Sequence, residues 1–158
     1  MHKLKIFSYL PNPRVWKSLI AGNICGVEVE VIGDKPANLS SWLWDFNPKA
    51  LDENEKSLNH KFARKGKRGF SGVLFKTDSF LRAHPFGTVP AAFNPDGDIG
   101  IFESNSILRA VARVGEKVDL YGEDEYEASR IDSFLDANLV FAREAQVYML
   151  DYENVSKE

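Results

Sequence analysis

The chain has 158 residues, enough for one domain with a real core and the beginning of a second unit, and too few for two complete domains of ordinary size. Hydrophobic residues make up 44% and charged residues 27%, which excludes disordered, collagen-like and coiled-coil compositions. A formal net charge of -3 gives no general attraction to nucleic acid, and a single cysteine, Cys25, excludes an internal disulfide and a cysteine-based metal cluster. The run from Met1 to Phe7 is too short for a signal peptide, and no later run approaches the roughly 20 apolar residues of a membrane span. The expectation is a cytoplasmic protein in a reducing compartment, with no membrane contact.

In chain order, Leu4 to Tyr9 alternates and is rich in β-favouring side chains, so it reads as a first strand, ended by Pro11. Asn12-Pro13 then offers an N-cap followed by proline at the first helical position, where its missing N–H costs nothing. Val15, Trp16, Leu19, Ile20 and Ile24 follow at helical spacing, and Gly26 supplies the stop. Val27, Val29 and Val31 alternate with Glu28 and Glu30, which gives a second strand and closes a β-α-β unit.

From Gly33 to about residue 79 the pattern degrades. Trp42, Leu43, Trp44 and Phe46 are apolar, but Asn47-Pro48 and the glycines at 66, 69 and 72 interrupt any long element, so the stretch reads as an extended, partly ordered insertion. The separation of Ile32 from Val89 far exceeds an ordinary connection. Ser79 to Arg82 suits a short helical turn, Phe86 to Phe93 a turn leading into a strand, and Ile99 to Phe102 its hairpin partner across Asn94-Pro95-Asp96-Gly97-Asp98. Ser104 to Val114 is helical with Gly115 as the stop, and the acids Glu123-Asp124-Glu125 open a further helix reaching Tyr148, with Ile131, Phe134, Leu135 and Ala142 on its apolar face.

The order βαβ, insertion, ββα and then helix is a thioredoxin-like α/β arrangement on a mixed four-stranded sheet, followed by a short, truncated all-α segment. Residues 1–115 form the first unit, with the insertion at about 33–79, and residues 123–158 begin a helical one.

Three places carry candidate chemistry. Proline in Val89-Pro90 is either a trans residue at a strand edge or, if cis, turns the Val89 N–H and C=O outward to pair with an extended peptide ligand. Glu103-Ser104 is either a helix cap or an anion site, in which the helix N-terminus holds a carboxylate and Glu103 an ammonium group; the α-amino acid end of a γ-glutamyl unit has both. Asn12 is either a plain N-cap or the group that donates an N–H to a thiolate at the first helix, with Ser8 and Tyr9 as hydroxyl alternatives. Lowering a thiol pKa from about 8.5 toward 7 needs about 2 kcal/mol, within reach of a helix end and one or two hydrogen bonds. Cys25 reads as a core residue, His60 and His84 as ordinary imidazoles without metal-like spacing, and the run His60-Lys61, Arg64-Lys65, Lys67-Arg68 as a solvated basic loop. No metal site is expected.

Three stretches in this order resemble the glutathione transferase family, and most closely the transferase-like N-terminal region of the elongation factor 1 gamma subunits: Ile6-Phe7-Ser8-Tyr9 through Asn12-Pro13-Arg14 to Ala21, Phe80-Leu81-Arg82 through Val89-Pro90-Ala91, and Ile101-Phe102-Glu103-Ser104-Asn105-Ser106-Ile107. The resemblance implies a thioredoxin-like glutathione domain, a following all-helical domain, and a homodimer. By matching position, Val89 and Pro90 hold the cysteinyl backbone of glutathione and Glu103 and Ser104 its γ-glutamyl end. It further implies glutathione as co-substrate rather than a tightly bound cofactor, and one of two functions. One is conjugation of glutathione to a small hydrophobic electrophile in detoxification; the other is a non-catalytic module that meets translation-factor subunits. Asn12 stands where many members place the Ser or Cys that meets the sulfur, which weakens the expectation of strong conjugation and argues against thiol transfer.

Overall fold

The computed structural model describes residues 3–57, 60–66, 70 and 72–155. Strand β1 (Lys3–Tyr9) is central because its side chains alternate between two apolar layers. Leu4 and Ile6 enter one core with Val15, Ala21, Cys25, Ile107 and Val111, whereas Phe7 enters another with Leu39, Trp44, Leu74, Phe80 and Phe93. A strand buried on both faces needs a layer on each side, and the two layers come from different parts of the chain.

The helical layer begins at α1 (Pro13–Cys25). Asn12 is extended at φ -139° and its Oδ1 accepts the Arg14 N–H at 3.0 Å, Pro13 takes the first helical position, and Gly26 ends the helix in the left-handed region at φ 78°. β2 (Glu28–Asp34) lies parallel to β1, and Gly33 stands opposite Ser8, where a Cβ would come within 1.7 Å of the Ser8 carbonyl oxygen. α3 (Ser104–Val114) packs across α1. Their seam encloses Cys25, whose thiol donates to the Ala21 carbonyl at 2.9 Å, and Gly115 leaves the room that a Cβ, 2.7 Å from that sulfur, would take.

On the other face, the stretch expected to be an extended, partly ordered insertion is a second sheet. Its strands β3 (Trp42–Trp44), β4 (Lys49–Ala50), β5 (Ala63–Lys65) and β6 (Val73–Lys76) stand in the order β4-β3-β6-β5. β6 is parallel to β3 and antiparallel to β5. The strands are short and their partners distant in sequence, so none shows a periodicity of its own. Trp44 is their anchor: fully buried, it meets Phe7 and Phe70 at 5.5 Å and Phe80 at 5.8 Å, and its Nε1–H donates to the Leu39 carbonyl at 3.0 Å. In the basic run, Arg64 pairs with Asp78 at 3.0 Å, while Lys67 and Arg68 lie outside the described residues.

Helix α2 (Asp78–Ala83), capped by Thr77, returns the chain to the first sheet, which β7 (Ala91–Phe93) and β8 (Gly100–Ile101) complete in the order β2-β1-β7-β8. The hairpin is shorter than expected. Phe86 to Pro90 is non-strand chain, and Asn94 closes the hairpin by accepting the Ile99 N–H on its side-chain oxygen at 2.9 Å.

Helix α4 (Glu125–Val155) runs well beyond the expected end at Tyr148. It is tied to α3 by Arg109, which bridges Asp132 and Asp136, and to the preceding connection by Tyr121, whose hydroxyl donates to Asp132 at 2.6 Å. Ile131 and Leu135 face the protein, but Phe134 and Ala142, expected on the same face, are exposed. A helix of this length packed mainly on α3 covers only a narrow stripe of itself. Among the described residues no helix is long and apolar enough to cross a membrane.

Candidate ligand site

Strand directions decide where the candidate residues meet. β1 and β7 are antiparallel with Phe7 opposite Ala91, and β7 and β8 are antiparallel with Ala92 opposite Ile101. The chain therefore leaves β1 at Tyr9, enters β7 through Val89-Pro90 and leaves β8 toward Glu103 at one end of one sheet. Helices α1 and α3 both begin at that end, so two helix N-termini, each with a partial positive charge, border the same place; in α1 Pro13 carries no N–H and those of Arg14, Val15 and Trp16 are taken by Asn12.

Val89-Pro90 is a cis peptide, with Pro90 buried and Val89 half-buried. The start of α3 differs from the expectation in one respect, because the cap position falls on Glu103 and Ser104 is the first helical residue. Glu103 makes no capping bond with its side chain and sits at φ 64°, ψ 125°, the one non-glycine residue with positive φ among those described. Such a conformation costs about 1–3 kcal/mol. It leaves Glu103 exposed and Ser104 buried beside the helix N-terminus.

Asn12 is placed at the same edge but is fully enclosed. Its Oδ1 is used by the Arg14 N–H and its Nδ2 donates to Ser8 Oγ at 2.9 Å, and Ser8 is likewise buried. Of the three residues considered for the sulfur, only Tyr9 keeps part of its surface open.

Lys17, which the sequence patterns do not single out for the site, joins it here through Asn105 of the Glu103-Ser104-Asn105 helix start. Lys17, in the second turn of α1, donates to Asn105 Oδ1, and Asn105 Nδ2 donates onward to the Leu135 carbonyl at 2.6 Å. Burial lowers the Lys17 ammonium pKa below its usual value, Arg14 and Arg109 lower it further, and Glu103 opposes them. Arg14 itself reaches Gln146 of α4 at 3.2 Å. The only available signal for Lys17 was positional: it stands in the second turn of α1, close to the helix start. What results is an electropositive edge built from two helix ends, Lys17 and Arg14, with Glu103 as the nearby acid. Such an edge can hold a carboxylate and a thiolate and can orient an ammonium group.

No protein-family model matches the chain. Among curated sequences, elongation factor 1-gamma 3 of Oryza sativa subsp. japonica is 38% identical over 65 residues, which is 41% of this chain and 15% of that protein. Glutathione S-transferase F9 of Arabidopsis thaliana is 38% identical over 63 residues, 39% of this chain and 28% of the transferase. Among solved structures, the Bombyx mori glutathione transferase BmGSTD1 superposes with a TM-score of 0.56 at 16% identity, covering 94% of this chain and 54% of that one. A Caenorhabditis elegans transferase gives 0.55 at 18% identity, covering 98% and 55%. The chain thus spans a small part of its curated relatives and about half of these solved ones. It has the glutathione transferase fold: a thioredoxin-like unit, here carrying an inserted second sheet, followed by a long helix.

Proposed function

We propose that the edge formed by Tyr9, the α1 start, Val89-Pro90 and Glu103-Ser104 binds glutathione and presents its thiolate to small hydrophobic electrophiles. The observation that carries this reading is the convergence of both helix N-termini and the Val89-Pro90 turn at one end of one sheet. In this arrangement Val89 pairs through its backbone with the cysteinyl residue, and Ser104 with the α3 N–H groups holds the γ-glutamyl carboxylate. Glu103 takes the γ-glutamyl ammonium. The thiolate lies at the α1 start, whose shape Asn12 sets by capping it from within. The sulfur electron pair then forms a bond to the electrophilic carbon while the leaving group departs with its own pair. Residues 1–115 act as the glutathione-binding unit, with α4 as a separate helical element beside it.

A second reading, a non-catalytic module that meets translation-factor subunits, is favoured by the curated relatives named elongation factor 1-gamma. In that case the fold is kept and the chemistry is not.

The deciding experiment is retention on immobilised glutathione together with a chlorodinitrobenzene conjugation assay. Wild type is expected to be retained and Ser104→Ala to bind roughly tenfold more weakly, the cost of one hydrogen bond to a charged group. Tyr9→Phe is expected to keep the fold and lower turnover, because Tyr9 alone of the three residues considered for the sulfur keeps open surface. Retention without turnover supports the module; no retention by wild type sinks the pocket for either use.

A further inference from the structure

We infer that Lys76 is a positioning residue through which the inserted sheet sets the Val89-Pro90 turn. Lys76 closes β6 and is 6% exposed, an unusual place for an ammonium group. Its backbone N–H donates to the Phe62 carbonyl at 2.9 Å, which locks the residue into the second sheet. Its side chain leaves that sheet: Nζ donates to the Gly87 carbonyl at 2.6 Å and lies 4.7 Å from the Trp44 ring centroid. Gly87 is left-handed at φ 57°, its N–H donates to the His84 carbonyl at 2.8 Å, and two residues later the chain reaches Val89. A Cβ at Gly87 would stand 3.0 Å from Nζ, so the glycine makes the close approach possible.

A charge in such a place is costly unless it is well paired, and an apolar chain of the same length would fill the volume more cheaply. What such an apolar chain could not do is hold the Gly87 carbonyl, through a charge-assisted bond stiffened by the face of an indole. The segment so fixed is the one that carries the backbone groups proposed to pair with the ligand. The inserted sheet is then part of the binding site's support, and Lys76, reached from outside the first sheet, is its point of contact. The effect on affinity rests on the glutathione reading; the effect on the turn does not.

The test is amide hydrogen exchange on ligand-free wild type, Lys76→Met and Lys76→Arg, followed by glutathione titration read by tryptophan fluorescence. Lys76→Met is expected to speed exchange of the Gly87 amide, which donates to His84, by about tenfold or more while β1 and α1 stay as in wild type, and Lys76→Arg to restore most of the protection. Glutathione binding should weaken by roughly tenfold in Lys76→Met and recover in Lys76→Arg. Unchanged exchange at Gly87, or a rise spread evenly over the whole chain, overturns the inference. Local loss of protection together with no glutathione binding by wild type upholds the role of Lys76 and overturns the proposed ligand instead.

Discussion

Replacing Trp44 with alanine is expected to lower unfolding stability by about 4 kcal/mol, measured by urea denaturation at neutral pH. The side chain is fully buried and is the common neighbour of Phe7, Phe70 and Phe80, so its removal opens a cavity between two sheets rather than within one. It also leaves the Leu39 carbonyl without its indole donor and takes the aromatic face from beside Lys76. Trp44→Phe keeps ring contacts and loses the donor, and should cost well under half as much. A Trp44→Ala loss below about 1 kcal/mol would mean that the second sheet is not packed on the first as described.

Acid is expected to weaken the protein through His84. Burial pushes this imidazole down to about 4 from an ordinary 6.5, and the Ala92 backbone opposes this only in part. Neither ring nitrogen has a hydrogen-bond partner of ordinary geometry, and the ring is packed against Phe80, Phe93 and Phe102 at 5.1, 4.7 and 6.5 Å. Between pH 6.5 and 4 the unfolded chain therefore binds a proton that the folded chain refuses. Stability is fully present above pH 6.5 and falls as the pH drops, by about 3 kcal/mol once pH 4 is passed. Carboxyls held below their usual range add to the acid loss at still lower pH. Asp34 is held first by the Lys35 backbone N–H, Glu55 by Lys49 and Asp132 by Tyr121. His84→Phe isolates the imidazole: unfolding midpoints at pH 7, 5.5 and 4.5 should change much less in the variant than in wild type. Parallel pH curves for the two proteins would rule out His84 as the source.

The parts of this fold legible in the sequence are those whose signals are local. Asn12-Pro13 and Gly26 bracket α1 because capping, proline at the first turn and a left-handed stop are all decided within a few residues. Ser104 to Val114, with one apolar face and Gly115 after it, was equally clear. The second sheet was not, because β3 finds its parallel partner where Leu43 meets Phe75, far along the chain, and strands of two to four residues show no alternation. β7 reads Ala91-Ala92-Phe93 and is buried throughout, so it too lacks a two-residue period. In the site, Val89-Pro90 and Glu103-Ser104 were visible as short motifs, and strand directions bring them to one edge with Asn12. Lys17 and Lys76 were hidden for a physical reason: a lysine in a sequence looks like a solvated charge, and only tertiary structure shows one turned inward toward a carbonyl or an amide.

The seam between α1 and α3 gives the chain a reporter that needs no engineering. Cys25 is the sole thiol and is wholly enclosed there. A bulky alkylating reagent can reach it only when the two helices part, so the labelling rate of the native protein counts those separations. The same two helices supply both N-termini of the proposed site, and a ligand that bridges them would show itself as slower labelling of a sulfur it never touches.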